Sequence, residues 1–165
     1  IVAAKGFTEF YTKLSSAYGS WIKPDPSLLK ILELDNKKDD SVQFDDFTVH
    51  STPVKHSDHS LAYRITTSDQ KIIVYSGDSD FCDGLRTISK HADLLLCECS
   101  HPDEMKKEGH LTPSLAGRIA NRAEVEKLVL THFYPECESV DIKKQCSKIF
   151  KGEIVLAEDL MVMDI

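Results

Sequence analysis

The sequence predicts an α/β layered protein on three observations. Consecutive β-rich runs joined by short turns fill the first half, helix and strand patterns alternate after Asp78, and lone polar residues stand at the ends of apolar runs. Ile1-Val-Ala-Ala reads as an apolar strand entered in mid-course without the basic start of a signal peptide, so the protein is expected to begin upstream. From Gly6 to Gly19, the residues Phe7, Phe10, Tyr11, Leu14 and Tyr18 follow helical spacing ended by glycine, and these aromatics are expected in the core. Residues 21–26 form a proline-bearing connection, 28–34 a strand and 36–41 a polar turn. Residues 44–52, 61–67 and 71–75 read as three strands rich in β-branched and aromatic side chains, and the short link Ser68-Asp69-Gln70 favours antiparallel pairing. After Asp78 come a helix at 83–90, a strand at 93–97, a helix at 113–123, a strand at 127–130, a helix at 140–150 and strands at 153–156 and 160–163. Thr112 ahead of Pro113 is a helix start, a hydroxyl cap followed by proline at the first helical position.

At 165 residues the chain is about one domain, long enough to fold without disulfides. Its 41% hydrophobic and 28% charged residues describe an ordinary soluble globular protein, and no apolar run approaches the roughly 20 residues of a membrane helix, which excludes a membrane role. Five cysteines, an odd number without zinc-knuckle spacing, read as reduced thiols in a cytoplasmic protein. A net charge of −7 gives no global attraction to nucleic acid, although the lysine pairs 37–38, 106–107 and 143–144 keep local attraction open.

Four residues stand where a rigid sheet can aim side chains into one cleft. Asp78 follows Gly77 at a strand end, and its carboxylate could bridge two divalent cations or merely close a turn. His132 follows an apolar strand and His56 lies in a polar loop; each suits either a metal ligand or a structural histidine. His110 precedes Leu111-Thr112-Pro113, a helix start whose free amides and dipole favour an anion, so His110 is placed to donate a proton and Thr112 to meet substrate, unless His110 is only a capped loop histidine. The stretch 54–59 matches a His-x-His-x-Asp-His cluster except that Val54 occupies the first position, and Asp78 follows too soon for it to be that cluster. His50, His91 and His101 read as surface or packing residues.

Taken in order, Gly6-Phe7-Thr8-Glu9-Phe10, Pro53-Val54-Lys55-His56, Ser76-Gly77-Asp78-Ser79, Glu98-Cys99-Ser100, Gly109-His110-Leu111-Thr112 and Leu130-Thr131-His132 resemble the ribonuclease Z branch of the metallo-β-lactamase fold, over essentially the whole chain. The resemblance implies an αββα sandwich. It also implies that His56 ligates one metal, His132 the other, Asp78 bridges them, His110 donates a proton and Glu98 orients a neighbour. The family's His-x-His-x-Asp-His cluster would precede Ile1, the interval from His56 to Asp78 has no room for a long tRNA-gripping arm, and Phe133-Tyr134-Pro135 replaces a Ser-x-Arg-Tyr type sequence.

The implied activity is metal-dependent phosphodiester hydrolysis of the tRNA 3′ processing type. Two divalent ions, zinc first with manganese or iron as alternatives, would clamp the phosphoryl oxygen and acidify water. The partners expected are an RNA such as a tRNA precursor, or a small phosphodiester, and a second copy in a cytoplasmic homodimer. Two other readings stay open: hydrolysis of a small-molecule ester, thioester or sulfate, and a non-catalytic domain. The chain alone is expected to bind metal weakly or at one site and to be inactive.

Overall fold

The computed structural model describes residues 1–165. Strand β1 (Val2–Ala4) pairs in parallel with β2 (Leu32–Leu34), and the crossover that a parallel pair requires contains helix α1 (Phe7–Tyr18). The helix starts at Gly6, whose φ of +102° suits glycine. Its first amides are met by Glu33 of β2, whose Oε1 accepts from Gly6 N at 3.2 Å and Thr8 N at 2.6 Å. The aromatic stripe is not core: Phe10 and Tyr18 are more than half exposed, and Ser15 is the one buried residue of the helix. Three-residue strands, about 10 Å long, offer little surface to a helix about 18 Å long. Pairing in the expected strand 28–34 is confined to its end, because residues 26–28 turn as a short 3-10 helix capped by Asp25.

The main sheet has seven strands in chain order: β3 (Asp40–Gln43), β4 (Phe47–Pro53), β5 (Leu61–Thr67), β6 (Ile72–Tyr75), β7 (Leu94–Glu98), β8 (Lys127–Thr131) and β9 (Glu153–Leu156). The strands from β3 to β6 form an antiparallel meander, and from β6 to β9 all pairs are parallel. Strand β3 arises partly inside the expected polar turn and sets Val42 opposite Val49. Leu94, Leu95 and Cys97 in β7 and Leu128, Val129 and Leu130 in β8 are buried, as near-continuous apolar runs in parallel strands require.

Helices α2 (Asp83–Ile88), α3 (Pro113–Arg122) and α4 (Ile142–Ser147) lie within the parallel crossovers. Their Leu85, Ile119 and Cys146 join Val74, Leu95 and Leu130 of the sheet in one core. Glycine permits two close approaches of the helices: a Cβ on Gly84 would stand 2.7 Å from the Pro53 carbonyl oxygen, and one on Gly117 would stand 3.1 Å from Cys146 Sγ. The Thr112 hydroxyl does not cap α3. Asp103 serves instead, accepting from Ser114 N at 3.0 Å and Ser114 Oγ at 2.6 Å. Residues 160–163 form no strand, because the chain turns after β9, with Met161 N donating to Glu158 O at 3.1 Å, and Leu160 and Val162 face solvent. No helix is long and apolar enough to cross a membrane.

All five cysteines are free, and Cys97, Cys99, Cys137 and Cys146 are buried. Burial raises their thiol pKa values, that of Cys146 to about 12. Because the thiolate is the reactive form, a thiol reagent near pH 8 will titrate Cys82 rapidly in the native protein and all five cysteines after denaturation. A second fast native thiol would contradict this packing.

Candidate functional site

Strands β4, β6, β7 and β8 point the same way, so their carboxyl ends gather the following loops at one end of the sheet, where open α/β sheets bind ligands. The loop after β4 carries His56, the loop after β6 carries Asp78, Glu98 ends β7, His110 lies on the path from β7 to α3, and His132 follows β8. Gly77 makes the turn that presents Asp78: its φ is +57°, and a Cβ there would stand 3.0 Å from Leu61 O. His132 itself has φ +63°, a conformation costing on the order of 1 kcal/mol outside glycine. Backbone bonds on either side hold it, from Cys99 N to Thr131 O at 2.8 Å and from Tyr134 N to Ser100 O at 3.1 Å.

Asp78 stands between two histidines. His56 Nε2 lies 3.9 Å from Asp78 Oδ2, and His132 Nε2 lies 3.5 Å from Oδ1. His56 Nδ1 is 3.0 Å from the Gly109 carbonyl, so Nδ1–H donates and the Nε2 lone pair faces Asp78. Nitrogen and oxygen donors at 2.0–2.2 Å from one tetrahedral ion stand about 3.3–3.5 Å apart. The His132–Asp78 pair matches that spacing and the His56–Asp78 pair is a few tenths of an ångström wider. The donor set therefore could hold two divalent cations, one on each Asp78 oxygen. Each would draw two donors from these residues, in keeping with the lack of any group of three His, Cys, Asp or Glu at one point. Imidazole and carboxylate together suit zinc, manganese or iron.

His110 lies beside both histidines, its ring centroid 4.9 Å from that of His56 and 5.7 Å from that of His132. Its Nδ1 is 2.9 Å from Glu98 Oε1 and 3.0 Å from Ser100 Oγ. Glu98 is 1% exposed, and its carboxylate also accepts from Ser79 N at 3.0 Å, Ser100 N at 3.2 Å and Ser100 Oγ at 2.8 Å. That one side chain ties the Asp78 loop to His110. Thr112 is 3% exposed and offers almost no surface of its own. An open cleft of about 480 Å³ lined by Tyr75, Asp78, Leu96, Glu98 and His132 adjoins the group. A larger cavity of 540 Å³ near Arg64, His50 and α2 contains none of the four residues; the chemistry, not the volume, locates the site.

His101, read from sequence as surface or packing, is 2% exposed, and its ring lies 6.2 Å from His110 and 4.7 Å from Tyr134. Its Nδ1 and Glu136 Oε2, 4.0 Å apart, are both buried without a hydrogen-bond partner. Burial, then Lys107, lowers the His101 pKa below its ordinary value. The unfolded chain therefore takes up this proton first, near pH 6.5, and stability falls as pH drops through that value toward the folded pKa. The loss in melting temperature between pH 7.5 and 5.5 will be smaller in His101→Gln, and an equal loss would contradict it.

The family model for the beta-lactamase superfamily domain matches residues 15–133, which include all four residues. YhfI of Bacillus subtilis (strain 168), a probable metallo-hydrolase by name, is 32% identical over 120 residues, covering 72% of this chain and 49% of that protein. Its crystal structure, described as a metallo-beta-lactamase fold protein, superposes with a TM-score of 0.76 at 26% identity over 96% of this chain and 61% of that one. Ribonuclease Z of Salinispora arenicola (strain CNS-205) is 36% identical over 95 residues, 53% of this chain and 30% of that protein. The crystal structure of human tRNase Z, short form, shares the fold, with a TM-score of 0.70 at 23% identity over 100% of this chain and 67% of that one. The chain thus spans about a third to a half of the length of these two sequence relatives. It belongs to the beta-lactamase superfamily and has the metallo-β-lactamase fold, with sequence similarity to ribonuclease Z proteins.

Proposed function

We propose that the intact protein is a zinc-dependent phosphodiesterase that cleaves RNA, of the tRNA 3′ processing kind, and that these 165 residues alone are inactive. One observation carries this reading: Asp78 turns one oxygen toward His56 and the other toward His132, with His110 anchored beside both on buried Glu98. The ribonuclease Z relatives supply the substrate class. When bound, two divalent ions would supply Lewis acidity toward a phosphoryl oxygen and toward water.

The chain's own groups supply the rest. With Nδ1–H donated to Glu98, His110 has Nε2 left to give a proton to the leaving oxygen, and the Glu98 carboxylate stabilises the imidazolium that gives it. Thr112 is buried, and the start of α3 is already met by the Asp103 carboxylate, so neither offers a phosphate site. The proposal extends to a cytoplasmic homodimer: free cysteines support the reducing compartment, and exposed apolar side chains such as Trp21, 94% exposed, offer contact surface.

The test compares a 3′-extended tRNA precursor, bis-p-nitrophenyl phosphate and a carboxylic thioester under one zinc concentration. Cleavage of the precursor with the highest kcat/KM is expected. Turnover of the thioester alone would transfer the site to small-molecule hydrolysis, and no turnover together with no metal uptake would make the domain non-catalytic.

A further inference from the structure

Asp80 has no task in the chemistry above, yet its carboxylate, in a residue 7% exposed, joins three loops of the site. Its backbone N–H donates to Lys55 O at 2.7 Å, next to His56, in an isolated antiparallel bridge. Its Oδ1 accepts from Phe81 N at 2.7 Å. Its Oδ2 accepts from Gly109 N at 3.1 Å and from Lys106 Nζ at 2.9 Å. Burial pushes the Asp80 carboxyl up, but Lys106 and the N–H groups of Phe81 and Gly109 outweigh it and hold the pKa below its ordinary value. Gly109 passes the constraint on: its carbonyl accepts the His56 Nδ1 proton at 3.0 Å. With φ at +83° and a Cβ position only 3.2 Å from His56 Nδ1, glycine is what this contact demands.

A neutral imidazole carries its proton on Nδ1 or on Nε2, and the partner of one nitrogen decides which nitrogen is free. Only the Nδ1–H form leaves the His56 Nε2 lone pair free to ligate a cation beside Asp78. Removing the Asp80 acceptor frees the Gly109 N–H, and with it the angle at which the Gly109 carbonyl meets His56.

We infer that Asp80 is a positioning residue: by holding Gly109 it locks His56 in the tautomer whose Nε2 faces Asp78. The tautomer statement stands on contacts alone, and only its effect on metal affinity rests on the metal reading.

The experiment reads both. Side-chain 1H–15N spectra of the metal-free chain at a pH where His56 is neutral, assigned with His56→Gln, report the tautomer, and calorimetric titration with zinc reports affinity. Wild type should show one Nδ1–H form. Asp80→Ala and Gly109→Ala should each give a tautomer mixture and weaken zinc binding by roughly 10–100-fold. Lys106→Met should keep the wild-type tautomer, because Gly109 N–H still has its acceptor. An unchanged tautomer in a folded Asp80→Ala overturns the inference. Should that variant unfold, an unchanged tautomer in Gly109→Ala, which leaves Asp80 intact, overturns it equally. A wild-type chain that takes up no zinc, with the tautomer lost in Asp80→Ala, upholds the positioning and counts against the metal reading alone.

Discussion

Replacing His110 with alanine will lower turnover of an RNA precursor by about 10²–10⁴-fold while metal uptake stays at the wild-type level. The geometry separates the two readouts. His110 makes its polar contacts with Glu98 and Ser100 through Nδ1, so its loss removes a proton donor and leaves the paired oxygens of Asp78 in place. The defect should shrink on a p-nitrophenyl diester, whose leaving group departs without a proton. Glu98→Gln should reproduce part of the loss and also destabilise the fold. Its amide nitrogen would face two donors that now find an acceptor, either Ser79 N and His110 Nδ1 on Oε1 or Ser100 N and Oγ on Oε2, at a cost of about 1–3 kcal/mol. Full turnover of a poor-leaving-group substrate by His110→Ala would remove the proton-donor role.

Asp78→Ala will weaken both metal positions together, whereas His56→Ala and His132→Ala will each weaken one. Asp78 lies within 4 Å of both imidazole Nε2 atoms, so its removal takes a donor from each position. The loss should exceed the roughly 10–100-fold that follows when only the partner behind a ligand is removed. Competitive titration with a chromophoric chelator measures it. Equal affinity in Asp78→Ala and wild type would mean that the ions bind elsewhere or not at all.

Much of this site is legible in sequence because strand ends are. Gly77-Asp78 after Ile72–Tyr75, and His132 after Lys127–Thr131, follow apolar runs whose burial fixes where the polar residue must emerge. The misleading match at 54–59 resolves in space: His59 lies against Asn36 and the Lys5 carbonyl, away from Asp78, while His56 alone of that stretch turns toward it. Strand β3 was hidden because Asp40-Ser41-Val42-Gln43 is polar and its pairing with β4 is a tertiary contact, not a propensity. The helical period of Phe7, Phe10 and Tyr18 correctly marks α1 but carries no information on what covers its apolar face. Asp80 and His101 escaped for the same reason. The value of Asp80 lies in Gly109, 29 residues away, and that of His101 in Tyr134 and Glu136, so no local pattern announces either.

The most direct test of the central claim is anomalous diffraction at the zinc edge from crystals grown with zinc. For the intact protein, two peaks flanking the Asp78 carboxylate, about 3.5–4 Å apart, one bonded to His56 Nε2 and the other to His132 Nε2, are the predicted result; the 165 residues alone should show one peak or weak occupancy. Ordered density for His56, Asp78 and His132 with no peak in bonding reach of any of them would contradict it.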